Sequence, residues 1–171
     1  MTVAIDVPFA TGGCDCGNVG YALTARPLLV HCCHCRWCQR ETGSAFAVNA
    51  MIETRRLEAS GVVPDLVLTP SASGKGQKIA RCPDCRVAVW SHYATLDTKL
   101  AFVRAGTLDD PSRAAPDVHI FTSTKQPWVI LPAGADAFPE FYEAADRERM
   151  MGPERLARLA ALIEEVKREA C

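Results

Sequence analysis

Four of the nine cysteines fall within seven residues, in the run Val30-His31-Cys32-Cys33-His34-Cys35-Arg36-Trp37-Cys38. Side chains on an extended strand alternate between faces, so Cys33 and Cys35 share one face, Cys32 and His34 take the other, and a turn can bring Cys38 round to the first. Three thiolates then converge on one point. That is three ligands for a soft divalent metal with a fourth position open, the arrangement that separates a reactive zinc from a structural one.

Two further pairs, Cys14-Asp15-Cys16 and Cys82-Pro83-Asp84-Cys85, lie far apart in the chain. Together they make a closed four-thiolate set that would clamp an N-terminal strand to a later hairpin, as structural zinc does. The alternative is a group of unrelated core thiols. For the three-cysteine group one alternative is a Cys35-Arg36-Trp37-Cys38 redox pair, although the βαβ pattern such a motif wants is missing. Another is a closed zinc site completed by Cys32 or a histidine, against which alternation turns Cys32 away. The four-plus-three count predicts two zinc ions.

A chain of 171 residues is most economically one domain and can bury a core without metal, so the cysteines need their own explanation. The start has no basic segment followed by a long apolar run, so we expect no secretory signal and a cytoplasmic protein. In a reducing compartment, clustered cysteines are more often metal ligands or redox groups than disulfides. The formal charge is -1, without a basic stripe interleaved with aromatics, which makes nucleic acid a poor partner. Seven metal-bound thiolates with two zinc ions would move it to about -4, further from nucleic acid. No apolar run approaches a membrane span.

Residues 12–16 read as a strand end running into a turn, and strands are expected at 19–24, 28–35, 45–52 and 56–60, then as a hairpin of 65–71 and 77–81 around Ala72-Ser73-Gly74-Lys75-Gly76. Further strands follow at 87–92, 100–105 and 117–121. Arg36 to Thr42 reads as a short helix stopped by Gly43, and cysteines at its start should have lowered thiol pKa. The β-rich region runs on through Pro127-Trp128-Val129-Ile130 and ends near Pro132. Gly152-Pro153 opens a helix to residue 169 with Leu156, Leu159, Ile163 and Val166 on one stripe, for packing or for an oligomer contact. Arg36 and Arg40 flank the three-cysteine group and can receive a substrate carboxylate. His31, His34 and His92 read as surface or internally satisfied histidines, whereas His119, bracketed by turn residues, is a candidate catalytic group at a sheet edge.

Gly13-Cys14-Asp15-Cys16-Gly17, Cys33-His34-Cys35-Arg36-Trp37-Cys38, Gly43-Ser44-Ala45-Phe46 and Cys82-Pro83-Asp84-Cys85 occur in that order. In this series the chain resembles the glutathione-dependent formaldehyde-activating enzymes and the domain they share with centromere protein V, over about residues 12–131. The resemblance implies a mainly β fold, the β-tent of zinc-bound antiparallel sheets. It also implies a structural zinc on Cys14, Cys16, Cys82 and Cys85 and a second zinc on Cys33, Cys35 and Cys38. For the founding members it implies addition of glutathione to formaldehyde to give S-hydroxymethylglutathione. Two positions depart from the family pattern. Arg86 stands where the family usually has glycine, so a positive φ there would cost on the order of 1 kcal/mol. Gln39 and Arg40 stand where relatives often carry two basic residues.

The reading is a zinc-binding domain at 1–131 and a helical extension at 132–171, packed on it or at a homo-oligomer contact. Its activity would be that of a carbon-sulfur lyase or synthase acting on a small thiol such as glutathione and a small aldehyde. The open zinc on Cys33, Cys35 and Cys38 would carry the chemistry, with Ser44 or His119 moving the proton. The alternative is a non-catalytic zinc module that binds a protein or a small thiol.

Overall fold

The computed structural model describes residues 7–71, 74–94 and 96–169. In chain order the elements are β1 (Ala10–Gly13), β2 (Val19–Leu23), β3 (Leu29–Cys33), α1 (Arg36–Thr42), β4 (Ala47–Glu53) and β5 (Leu57–Gly61). They continue with β6 (Asp65–Thr69), β7 (Gln77–Arg81), β8 (Ala88–Tyr93), β9 (Leu100–Arg104), β10 (Val118–Ile120) and α2 (Ala144–Glu169). Three strands form a small sheet in the order β1-β2-β5, and seven form a larger one in the order β10-β3-β4-β9-β8-β7-β6. The fold is mainly β with a C-terminal helix. All pairings are antiparallel except that of β10, which joins the edge of the large sheet parallel to β3 with His119 opposite Cys32.

Alternation along the strands builds two apolar layers. One face of the large sheet presents Val30, Ala50, Ile52, Ala80, Trp90, Ala101 and Val103 to Val19, Tyr21, Leu23 and Leu57 of the small sheet. Tyr21 meets Trp90 edge to face at 6.0 Å, a geometry in which the positive ring edge meets the negative ring face. A second apolar cluster joins Leu28, Leu29, Cys33, Met51, Leu100 and Ile120 to Met151, Leu159 and Leu162 of α2. The helical stripe expected from the sequence thus packs against the sheet through Leu159, with Leu156 and Ile163 at its margin.

The α2 segment begins earlier than Gly152-Pro153. Helix runs from Ala144, breaks at Gly152 (φ 69°, ψ 171°) and resumes at Pro153. Pro153 lacks the amide that a continuous helix would need and suits the first position of the second segment, so the expected start is an internal break. Among the described residues no strand follows β10; Trp128 and Ile130 are 72% and 91% exposed. The hairpin of β6 and β7 forms as expected, with Ala72 and Ser73 of its turn outside the described residues. Among the described residues no helix is long and apolar enough to cross a membrane.

Candidate metal centres

Cys14 leaves the end of β1 and Cys82 follows β7, so the turns of two different sheets deliver the four paired cysteines to one place. All four sulfurs lie within 4.8 Å of one another. Cys14 and Cys16 are 3.5 Å apart, and Cys16 and Cys82 are 3.6 Å apart. A tetrahedron with zinc–sulfur distances of about 2.3 Å has edges of about 3.8 Å, so the set fits zinc closely. Backbone amides favour anionic sulfur at Cys14 and Cys85, while the neighbouring thiols push Cys16 up to about 12. The Val19 amide donates to Cys14 Sγ at 3.2 Å, and backbone amides at Cys16 and Val87 pull the Cys85 thiol down to about 6. Asn18 donates to Asp84 at 2.6 Å, joining one knuckle to the other. Arg86 has φ 63°, the left-handed conformation that glycine reaches without a Cβ penalty.

Cys33, Cys35 and Cys38 form a second group within the same 4.8 Å limit. Cys35 caps α1, accepting from the Cys38 amide at 3.4 Å, and Gly43 ends the helix at φ 64°. Contacts first from Cys33 and then from Cys38 hold the Cys35 thiol far below its ordinary range, while Cys33 and Cys35 push Cys38 upward. Three thiols this close cannot all ionise alone. A divalent cation is what would let them do so.

A third group was not expected from the sequence. Cys32 and His34, turned to the opposite face as alternation requires, meet His119 on β10, again within 4.8 Å. All four histidines are buried. His31 bonds Tyr142 at 2.8 Å and His92 bonds the Leu100 carbonyl at 2.9 Å. Among the described residues His34 and His119 have no such outside partner, and they face each other at 3.1 Å.

A cavity of about 420 Å³ has a lining that includes Glu41, Thr42, Ala47, Arg81, Arg86 and Arg104. It adjoins the three-cysteine group through Thr42, which donates to the Cys38 carbonyl, and through Ala47, the strand partner of Cys33. Arg81 pairs with Glu41 and Arg86 with Asp65. Arg104 is 7% exposed and bonds only the neutral Asn49, and its Nε is buried without a partner. Among the described residues it has no carboxylate. A lone arginine at an inward position of the apolar strand Leu100-Ala101-Phe102-Val103-Arg104 is the signal that could have singled it out.

Of the other candidates, Arg36 donates to Gln39 at 2.7 Å and is exposed, as are Arg40 and Ser44. Gln39 is buried and donates to the carbonyls of His34 and Thr124. It holds the cysteine loop against the segment after β10.

No curated protein matches the chain. Among solved structures, a crystal structure of a Rhodobacter sphaeroides protein matches with 19% identity and a TM-score of 0.43, covering 58% of this chain and 87% of the other. The family model for glutathione-dependent formaldehyde-activating enzymes matches residues 9–124. This is more than half the chain and takes in all seven cysteines of the two all-cysteine groups, so the chain belongs to the glutathione-dependent formaldehyde-activating enzyme family.

Proposed function

We propose that the protein is a zinc-dependent enzyme that makes or breaks the carbon–sulfur bond of a thiol–aldehyde adduct, with glutathione and formaldehyde, or a related pair, as substrates. The observation that carries this reading is the convergence of only three thiols, Cys33, Cys35 and Cys38, beside a cavity that holds an uncompensated arginine. Zinc on those three sulfurs would supply a Lewis acid with one position left for substrate. A second zinc on Cys14, Cys16, Cys82 and Cys85 would be structural.

The surrounding residues bind and orient. A buried guanidinium without a counter-charge is costly, and the carboxylate of an anionic thiol entering the cavity would complete Arg104 with charge-assisted bonds. Anchoring one end of the thiol brings its sulfur and the aldehyde together as neighbours rather than by collision. Burial, and then the Cys38 thiol, raise the pKa of Tyr93, while Arg104 opposes them. Tyr93 is therefore held as a neutral phenol, and exposed Ser44 and buried His119 are the candidates for moving the proton. In the forward direction the sulfur–carbon bond forms, the thiol gives up its proton and the aldehyde oxygen ends as a hydroxyl.

The test is adduct formation from glutathione and formaldehyde, compared with a Cys35→Ser control at equal total protein thiol because the uncatalysed addition is itself fast. The parent should be faster, and Arg104→Met should raise KM for glutathione while leaving an uncharged thiol unaffected. Equal rates in parent and control would instead favour a zinc module that binds thiols without catalysis.

A further inference from the structure

We infer that Cys32, His34 and His119 form a third metal site, for a borderline divalent cation of the zinc class, on the opposite face of β3 from the three-cysteine group. Cys32 Sγ lies 3.6 Å from His34 Nε2, which lies 3.1 Å from His119 Nδ1. Metal–sulfur distances of about 2.3 Å and metal–nitrogen distances of about 2.0–2.1 Å give tetrahedral edges of about 3.6 Å for S···N and about 3.3 Å for N···N. The observed spacings match both.

Hydrogen bonding alone does not account for the arrangement. An imidazole nitrogen has one in-plane position, occupied either by a proton or by a lone pair, yet both Cys32 Sγ and His119 Nδ1 converge on His34 Nε2. A cation at the centre is a partner all three donor atoms can share. Thiolate and imidazole are the ligands zinc takes, and three of them leave one position of a tetrahedron for water or another donor.

The donors are held by main chain, so the site is preorganised. Cys32 and His119 are register partners on β3 and β10. His34 N–H donates to the Ile120 carbonyl at 3.0 Å, and the His34 carbonyl accepts from Gln39 and from Thr124. The His119 amide and carbonyl bond Asp136 and Phe138. All three side chains are more than nine-tenths buried.

Charge also favours the pairing of sites. Two neutral imidazoles and one thiolate around a divalent cation sum to about +1, and three thiolates around zinc to about -1. Adjacent residues of one strand would thus present opposite charges to each other, and binding releases the Cys32 proton to solvent. One feature of well-built histidine sites is missing: His34 Nδ1 is buried with no acceptor. Loss of such a partner typically weakens metal affinity about 10–100-fold, so this site should fill last and empty first. The inference does not depend on the enzymatic reading, since it concerns donors that the three-cysteine group does not use.

The experiment is cobalt(II) titration of the full-length protein already carrying its two more tightly held zinc ions. A third equivalent should bind with tetrahedral d–d bands and a single-thiolate charge-transfer band, release one proton, and be the first lost to a chelator. Cys32→Ala and His119→Ala should each abolish it while the two zinc ions remain. Cadmium-113 NMR of the unmutated protein needs no variant: a third resonance, well upfield of the all-sulfur signals, is expected. Absence of a third resonance at saturating cadmium, or a cobalt spectrum unchanged by Cys32→Ala, overturns the assignment.

Discussion

Arg86 holds φ 63° directly after the second knuckle, a conformation that costs an L residue roughly 1–2 kcal/mol. Its side chain returns little, because the ion pair with Asp65 is exposed on both sides and worth about 0–1 kcal/mol. Arg86→Gly should therefore stabilise the protein by about 0.5–1 kcal/mol after the entropy of the unfolded glycine is counted. A denaturant midpoint that falls instead would mean the ion pair outweighs the strain. This strain was legible from the motif, because a residue standing in place of glycine after Cys-x-x-Cys predicts it. The partition of Cys32 and His34 from Cys33 and Cys35 was legible for the same kind of reason, since strand alternation is fixed geometry. The meeting of His34 with His119 was not, because it depends on β10 pairing parallel with β3, a long-range choice that no local pattern specifies.

At the scale of elements, α2 is fastened to β4 by one buried ion pair. Arg158 donates to both oxygens of Glu53 at 2.9 and 2.6 Å and to the Arg26 carbonyl at 2.8 Å. The Glu53 side chain is fully buried and that of Arg158 is 12% exposed. Arg158→Met should cost about 1–3 kcal/mol near neutral pH, because it leaves the buried Glu53 carboxylate with a single side-chain cation, the half-exposed Arg56 at 3.3 Å. Burial alone would raise the Glu53 pKa, but the Arg158 bonds, a backbone hydrogen bond and the Arg56 charge together outweigh it and the net shift is downward. With the folded pKa below the unfolded one, the stabilisation is complete above the unfolded value of about 4.3 and disappears as pH falls through the folded value. The gap between parent and variant should accordingly be widest at neutral pH and close under acid, and the comparison cancels the thiolate protonation that both share. A gap independent of pH would show that Arg158 acts through packing alone. The second half of α2 was readable from its apolar stripe and from Pro153. Its first half, residues 144–151, has only Met150 and Met151 to mark a buried face, too few to set a period.

At the scale of the whole molecule the two all-cysteine groups differ in what they hold together. Cys14 and Cys16 belong to the turn between β1 and β2 of the small sheet, whereas Cys82 and Cys85 belong to the turn between β7 and β8 of the large one. A metal there would close most of the chain between them into a loop and pin one sheet to the other over their shared apolar layer. Cys33, Cys35 and Cys38 close only a few residues, and loop-closure entropy grows with the logarithm of loop length. Stability should follow the first group. Binding of a structural zinc is worth on the order of 10–16 kcal/mol in small zinc peptides, more than the usual stability of a domain, although a core of this size offsets part of that loss. Cys85→Ser should therefore give insoluble or strongly destabilised protein. Cys38→Ser should give folded protein that lacks one metal equivalent and the adduct-forming activity. Thermal melts and elemental analysis of both variants decide between the roles. If Cys38→Ser collapses while Cys85→Ser melts like the parent, the clamp between the sheets is carried by their apolar layer and the structural metal belongs to the cysteine loop.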